Sequence, residues 1–229
     1  VRRNDRVITG KITPMTSLRP KYEGWLYWLA FLVAIGFRFI QLGANPLTDS
    51  EAQFALQALQ LARGDAPLLG PQPAYILLTS LLFLVTEATN FMARFIPALA
   101  GSALVFAPRL FRDRLKPLPA LILAFLAAFD PGLVALSRQA NGTILALTFL
   151  LFAWGMWRNG RAIPAGIFAG LALLSGPSAW SGLLILGLTF IIYRITNPPA
   201  PITNYELRIT GFSLLATLLL GGTLLLTAP

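Results

Sequence analysis

The sequence predicts an all-α, polytopic membrane protein of about seven transmembrane helices, with outer juxtamembrane helices between the first two spans. Hydrophobic residues make up 56% of the chain and charged residues only 12%, and the mean hydropathy is +0.69. This composition supplies too little polar surface for a soluble globule. The basic residues lie in short clusters between apolar runs, a pattern typical of membrane topology and not of nucleic-acid binding. We expect membrane lipids as partners, and no nucleic acid.

The missing residue types limit the chemistry. The chain has no cysteine and no histidine, which excludes disulfides, thiolate metal sites and an imidazole base. Carboxylates, amides, arginines and hydroxyls remain. We expect no protein metal site, because two nearby carboxylates are too few to specify a hard cation. The need for a divalent metal stays open.

The first element is a basic tail at residues 1–24, which we expect in the cytoplasm because positive charge favours that side. No small-residue cleavage site follows the first span, so a cleaved signal peptide is not expected. The span runs from Trp25 to about Leu42 and carries Arg38 near its outer end. Residues 25–229 form the transmembrane module. Within it, residues 43–90 are the outer juxtamembrane loop and helices.

An acidic stretch at residues 46–55 opens this outer segment. Thr48 and Glu51 have the spacing of a capping box, and Gly64 is a stop signal, so a helix is predicted between them. Ala52, Leu56, Leu59 and Ala62 form an apolar stripe, which favours a helix lying flat on a membrane surface.

The short apolar run at residues 74–85 decides the topology, because a span needs roughly 20 residues. If this run stays at the outer interface while residues 91–110 cross, every basic loop falls on the cytoplasmic side. We choose that arrangement. Further spans are expected at residues 117–136, 143–157, 163–174, 179–193 and 209–227. The last span ends beside Pro229, so we expect the sequence to be one region of a longer protein.

This topology places a set of polar residues near the outer face, at or between span ends. They are Arg38, Asp49, Glu51, Arg63, Asp65, Gln72, Arg94, Arg138 and Asn141. Carboxylates beside arginines at the lipid interface suit binding of a lipid phosphate and deprotonation of a hydroxyl. From this set we take Arg38, Asp49, Glu51, Gln72, Arg94 and Arg138 as the site candidates.

An ordered set of motifs over roughly residues 25–190 resembles the N-terminal membrane module of the GT-C glycosyltransferases. The similar branch is glycosyltransferase family 39, with the protein O-mannosyltransferases and lipid A aminoarabinose transferases. The motifs are Arg38, the acidic loop at 46–52, a Pro-x-Pro-x-Tyr element at 71–75, the segment at 91–101 and the segment at 130–140.

The resemblance implies transfer of a sugar from a polyprenyl-phosphate donor to an extracytoplasmic acceptor hydroxyl, by a multi-pass protein of the inner or plasma membrane. Carried over by position, Asp49 would be the catalytic base and Glu51 its neighbour. Arg38 and Arg138 would lie near the phosphate. Gln72 and Arg94 are also assigned to donor binding.

The sequence departs from the family pattern at three places. Ser50 separates Asp49 from Glu51, whereas the family usually has adjacent Asp and Glu. At about 100° per helical residue, these two carboxylates should point to nearly opposite sides. The uncharged Gln72 stands where the family often has Lys or His, and Asn141 stands where many members have a second carboxylate.

Each candidate also has a structural interpretation. Asp49 and Glu51 could only cap a helix, Arg94 could pair with a loop carboxylate or carbonyl, and Arg38 and Arg138 could extend to headgroups. The alternative to a transferase is therefore a catalytically degenerate GT-C-derived scaffold, an accessory subunit of a larger membrane complex. A transporter ranks third, because no span carries a central ionisable residue.

Overall fold

The computed structural model describes residues 20–65, 67, 70–177, 180, 188 and 192. This part of the chain is all-helical, with no strand. The helices are α1 (Pro20–Phe39), α2 (Asp49–Ala62), α3 (Pro73–Val85), α4 (Asn90–Ala103), α5 (Ala107–Leu110), α6 (Arg112–Leu115), α7 (Pro117–Phe129), α8 (Pro131–Ser137), α9 (Thr143–Arg158) and α10 (Ala162–Leu174), with a 3₁₀ turn (Leu104–Phe106) between α4 and α5.

Most predicted helices occur where the sequence places them. The run at 117–136 is an exception, because it divides into α7 and α8 with a bend of 57° between them. Asp130 lies at the bend, where its side chain accepts a hydrogen bond from Leu133 N and caps the start of α8. Pro131 is the first residue of that helix.

Some predicted segments lie outside the described residues. These are residues 1–19 of the tail, nearly all of the predicted span at 179–193, and the whole of the predicted span at 209–227.

Only part of the described chain meets the requirements for membrane spans. The continuous segment Asn90–Leu110 is long and apolar enough to cross, and the bent pair α7 and α8 would be a second case if it forms one span. Helices α3, α9 and α10 are apolar but shorter. Helix α1 is 20 residues long, but the charged residues Lys21 and Glu23 near its start lower its mean hydropathy, and it is not among the candidate spans. Seven spans therefore remain a prediction.

The helices bring two basic clusters of the sequence to one end of the bundle, here called the basic end. Glu23 of α1 forms an ion pair of 3.1 Å with Arg112 of α6. The Arg109 guanidinium lies 5.9 Å from the centre of the Tyr27 ring. Asn159, between α9 and α10, donates to Leu110 O. The start of α1 and the 109–116 segment therefore lie together, as the charge argument requires.

Small residues allow close helix packing through the bundle. Ala30 and Ala34 of α1 pack against Ala124 and Ala128 of α7, and all four are fully buried. Such residues let helix backbones approach closely. In α10, Gly166 and Gly170 are buried.

Gly101 provides a test of this packing. A Cβ added there would collide with Ser137 Cβ and lie 3.2 Å from Arg38 Nε, whereas one added at Gly36 of α1 would meet nothing within 4 Å. We expect Gly101→Ala to lower the free energy of unfolding by about 1–3 kcal/mol, because the crowded side chains must move. Gly36→Ala should be neutral or stabilising by up to about 1 kcal/mol, through helix propensity. Thermal unfolding in detergent measures both, and equal effects would contradict the close contact.

Candidate functional site

The site residues predicted from the sequence lie at the end of the bundle opposite the basic end, here called the loop end. Helix α2 begins with the predicted capping box: Thr48 N donates to Glu51 Oε2 at 2.9 Å, and the Thr48 hydroxyl donates to the same oxygen at 3.1 Å. Gly64 follows the helix with a φ of +85°, which favours glycine and stops the helix. Local sequence thus fixes both ends of α2.

Arg94 of α4 holds the loop end together. Its Nε and Nη2 donate to Glu51 at 3.1 and 2.8 Å. Its remaining hydrogen bonds go to backbone oxygens of the loop after α1, those of Leu42, Asn45 and Pro46, at 2.9 to 3.2 Å. A guanidinium has five N–H donors, so these bonds engage all of them. Arg94 is 7% exposed, and no donor is left for a phosphate in this arrangement.

Glu51 is the partner that makes this arrangement possible. It is 5% exposed, and its Oε1 also accepts from Ala140 N at 2.7 Å. Burial raises the pKa of Glu51, but hydrogen bonds from Arg94, Thr48 and Ala140 and the Arg94 charge outweigh burial and lower the pKa to about 2. The carboxylate therefore stays ionised and joins α2, α4 and the 138–142 segment. This geometry favours a structural role, and its predicted catalytic role stays a prediction.

Arg38 and Arg138 each donate hydrogen bonds to backbone carbonyls at the end of another helix. Arg38 of α1 is fully buried and donates to Ala127 O and Ala128 O at the end of α7, at 3.0 and 3.2 Å. Arg138, after α8, donates to Phe37 O, Ile40 O and Gln41 O at the end of α1, at 2.9 to 3.2 Å. Carbonyls at helix C-termini lack partners inside the helix and carry partial negative charge, so arginines stabilise them. Neither arginine extends to headgroups in this arrangement.

Gln72 is also engaged within the protein. Its Oε1 accepts a 2.6 Å hydrogen bond from Gly142 N. A Cβ at Gly142 or Gly176 would crowd Gln72, and Gly176 has a φ of +124° that favours glycine. The neutral amide thus connects α3 to the start of α9. A lysine in this place would have no acceptor for Gly142 N.

Asp49 differs from the other candidates because its side chain is exposed. It lines an open groove of about 530 Å³ together with Leu47, Ala52, Gln53, Ala55, Leu56, Leu59, Phe83, Ala88, Thr89, Asn90 and Ala93. No lysine or arginine is among these described lining residues. Asp49 and Glu51 point to different environments, as helical geometry predicts.

The groove shows which face of α2 packs on the protein and which face stays open. The face that packs on the protein is Glu51, Ala55 and Ala58, whereas Ala52, Leu56 and Leu59 of the apolar stripe line the groove. The stripe therefore marks the open side of the helix and not its buried side. Small alanines on the packed face are a weak hydropathy signal, which explains why the sequence pattern did not identify that face.

Backbone groups complete the site. The structural interpretation of Arg94 allowed for a loop carbonyl, but sequence reasoning identified neither the particular carbonyls nor the amide of Ala140. The carbonyls of Leu42, Asn45 and Pro46 and the amide of Ala140 bind Arg94 and Glu51. Every residue type supplies such groups, so no sequence signal could identify them.

Comparisons of the chain with protein-family models, curated proteins and solved structures found no match. The similarity to GT-C transferases therefore rests on the quoted motifs alone.

The depressed pKa of Glu51 predicts acid sensitivity. A carboxylate with a pKa of about 2 in the fold, against an ordinary pKa of 4.5, stabilises the fold above pH 4.5 and loses this contribution as the pH falls towards 2. The loss should be on the order of 3 kcal/mol. Glu51→Gln should be less stable at neutral pH, because it leaves Arg94 buried without a counterion. Its stability should also depend less on pH across that window.

Thermal unfolding in detergent between pH 6 and pH 3 tests this prediction. Asp65→Asn is the matched control, because it removes an exposed carboxylate beyond the end of α2 and should keep the wild-type profile. A Glu51→Gln variant with the wild-type pH dependence would show that this ion pair does not govern acid sensitivity.

Proposed function

We propose that the chain is the membrane module of a GT-C-like glycosyltransferase. It would transfer a sugar from a polyprenyl-phosphate donor to a hydroxyl on the extracytoplasmic side. The observation that carries this proposal is the position of Asp49. Among the candidates within the described chain, it is the one exposed carboxylate, and it lies on an apolar groove of about 530 Å³. Glu51 and Arg94 hold the start of its helix in place.

Asp49 would act as a general base in one displacement step. Its carboxylate takes the proton of the acceptor hydroxyl while the hydroxyl oxygen bonds to the anomeric carbon. The bond from that carbon to the phosphate oxygen breaks, and the lipid phosphate leaves with the electron pair. Attack opposite the leaving group inverts the anomeric centre. Glu51 and Arg94 act as positioning residues, because they fix the first turn of α2 that carries Asp49.

The groove walls suit the lipid part of such a donor. Leu47, Leu56, Leu59 and Phe83 would contact an isoprenyl chain, and Gln53 and Asn90 could donate hydrogen bonds to its phosphate. Asn90 lies at the first position of α4, where backbone amides favour anions.

Exposed apolar side chains support a membrane location. Leu29, Leu32 and Phe37 of α1 are each at least half exposed, and Ile122 and Leu126 of α7 likewise. Contiguous apolar surface of this kind marks contact with lipid or protein. In the proposed orientation the N-terminus is cytoplasmic, the basic end faces the cytoplasm and the loop end faces outward.

A scaffold without catalysis is the second candidate function. It is favoured by Arg38, Arg94 and Arg138, which donate to protein atoms instead of facing the groove. A phosphate beside Asp49 would find no cation among the described groove residues. A degenerate module of this kind would serve as an accessory subunit and bind other membrane subunits.

Asp49→Asn tests the catalytic proposal. We expect the variant to insert and unfold like the wild type, because Asp49 makes no buried contact, and to lose sugar transfer by at least about 100-fold through loss of the base. The assay follows release of polyprenyl phosphate by membranes that contain the overproduced chain. Asp65→Asn is the control and should retain activity. Unchanged turnover in Asp49→Asn would exclude Asp49 as the base.

Purification in gentle detergent separates the two candidate functions. A transferase should purify with bound polyprenyl phosphate, whereas a scaffold should purify with unrelated membrane subunits at fixed stoichiometry. Mass spectrometry of the purified material identifies both. A solitary chain without partner subunits would count against the scaffold.

A further inference from the structure

A second cavity lies at the basic end, far from Asp49. It has a volume of about 580 Å³ and lies between the end of α5, the last turns of α9 and the start of α10. Arg109 and Arg161 are in its wall. The wall is completed by Phe106, Leu110, Phe152, Met156 and Asn159.

The two arginines give this cavity a positive charge. Both are exposed, and neither has an ion-pair partner among the described residues, whose ion pairs are Arg94 with Glu51 and Arg112 with Glu23. No carboxylate is among the described lining residues. Glu23, the buried carboxylate of this end, already pairs with Arg112. The charge of Arg109 and Arg161 is therefore available to an anion.

The cavity is held in shape by internal contacts. Asn159 Nδ2 donates to Leu110 O at 3.1 Å and to Gly155 O at 2.9 Å, which ties α5 to α9. Gly155 allows this close approach, because a Cβ there would lie 2.6 Å from Leu110 Cβ. The Tyr27 ring lies 5.9 Å from the Arg109 guanidinium and restrains that arginine. Binding an anion here would need little rearrangement.

The other walls indicate what the anion is attached to. Phe106, Phe152, Leu110 and Met156 form the apolar part of the lining, beside the two arginines. Trp154, about half exposed, contacts Phe111 edge-on at 5.2 Å on the same side. Exposed tryptophan is typical of the membrane interface. Two arginines beside apolar side chains suit a phosphate ester that carries hydrocarbon.

We propose that this cavity binds the headgroup of an anionic phospholipid of the inner leaflet, with Arg109 and Arg161 on the phosphate and the apolar wall on the first part of an acyl chain. The proposal rests on the membrane placement proposed above, but not on sugar transfer. The site would fix the depth and orientation of the α5, α9 and α10 ends in the membrane.

The experiment compares lipid retention by native mass spectrometry. The full chain is reconstituted in vesicles of phosphatidylcholine with phosphatidylglycerol, extracted in gentle detergent, and assayed for bound phosphatidylglycerol. Arg109→Gln and Arg161→Gln should each lower its retention about fivefold, as expected for a basic residue at an anionic surface. Arg158→Gln is the matched control, because Arg158 is exposed at the same end and does not line the cavity. It should retain the lipid as the wild type does.

Each outcome decides the proposal. Equal losses in all three variants would indicate a diffuse basic surface and overturn it, as would wild-type retention in Arg109→Gln and Arg161→Gln. Competition by soluble glycerol phosphate as strong as that by phosphatidylglycerol would identify a free phosphate ester as the ligand and also overturn it. Failure of the wild type to float with vesicles would overturn the membrane placement itself. Loss of sugar transfer with phosphatidylglycerol retention intact would affect only the proposed function.

Discussion

The buried ion pair between Glu51 and Arg94 is the interaction on which the loop end depends. Two charges removed from water are stabilised only when every remaining hydrogen-bonding group finds a partner. Here the arginine engages Glu51 and three loop carbonyls, and the carboxylate also accepts from Thr48 and Ala140. One pair thereby fixes α2, the start of α4, the loop after α1 and the 138–142 segment. Removing either charge would leave the other buried without compensation.

The arginine pair Arg38 and Arg138 acts in the same way at helix ends. Each side chain binds carbonyls at the end of another helix. Arg38 connects α1 to the end of α7, and Arg138 connects the end of α8 to the end of α1. Residues that resemble a phosphate-binding set in the sequence therefore stabilise the fold. At the loop end Asp49 stays exposed on its groove. At the basic end Arg109 and Arg161 line a cavity, and neither has an ion-pair partner among the described residues. The arginines that bind helix ends are therefore different from those that line the cavity.

Much of the fold follows from local sequence. The lengths of the apolar runs predicted α3, α9 and α10, and the capping box and Gly64 predicted both ends of α2. The positions of the basic clusters predicted that the basic loops share one side, and residues 109–116 and the start of α1 lie at one end of the bundle. The bend between α7 and α8 was missed, because hydropathy continues across Asp130 while its cap and Pro131 redirect the chain. The packed face of α2 was missed because alanines give little contrast.

The sequence by itself determined the helical class, most helix boundaries and the opposite directions of Asp49 and Glu51, since these depend on periodicity, caps and breakers within a few residues. Only the tertiary structure decided which candidate is exposed and which are engaged within the protein. Whether an arginine binds a phosphate or a helix end depends on carbonyls about 90 to 100 residues away, as for Arg38 with Ala128 and Arg138 with Phe37. Backbone carbonyls carry no residue identity, so the sequence contains no signal for those partners.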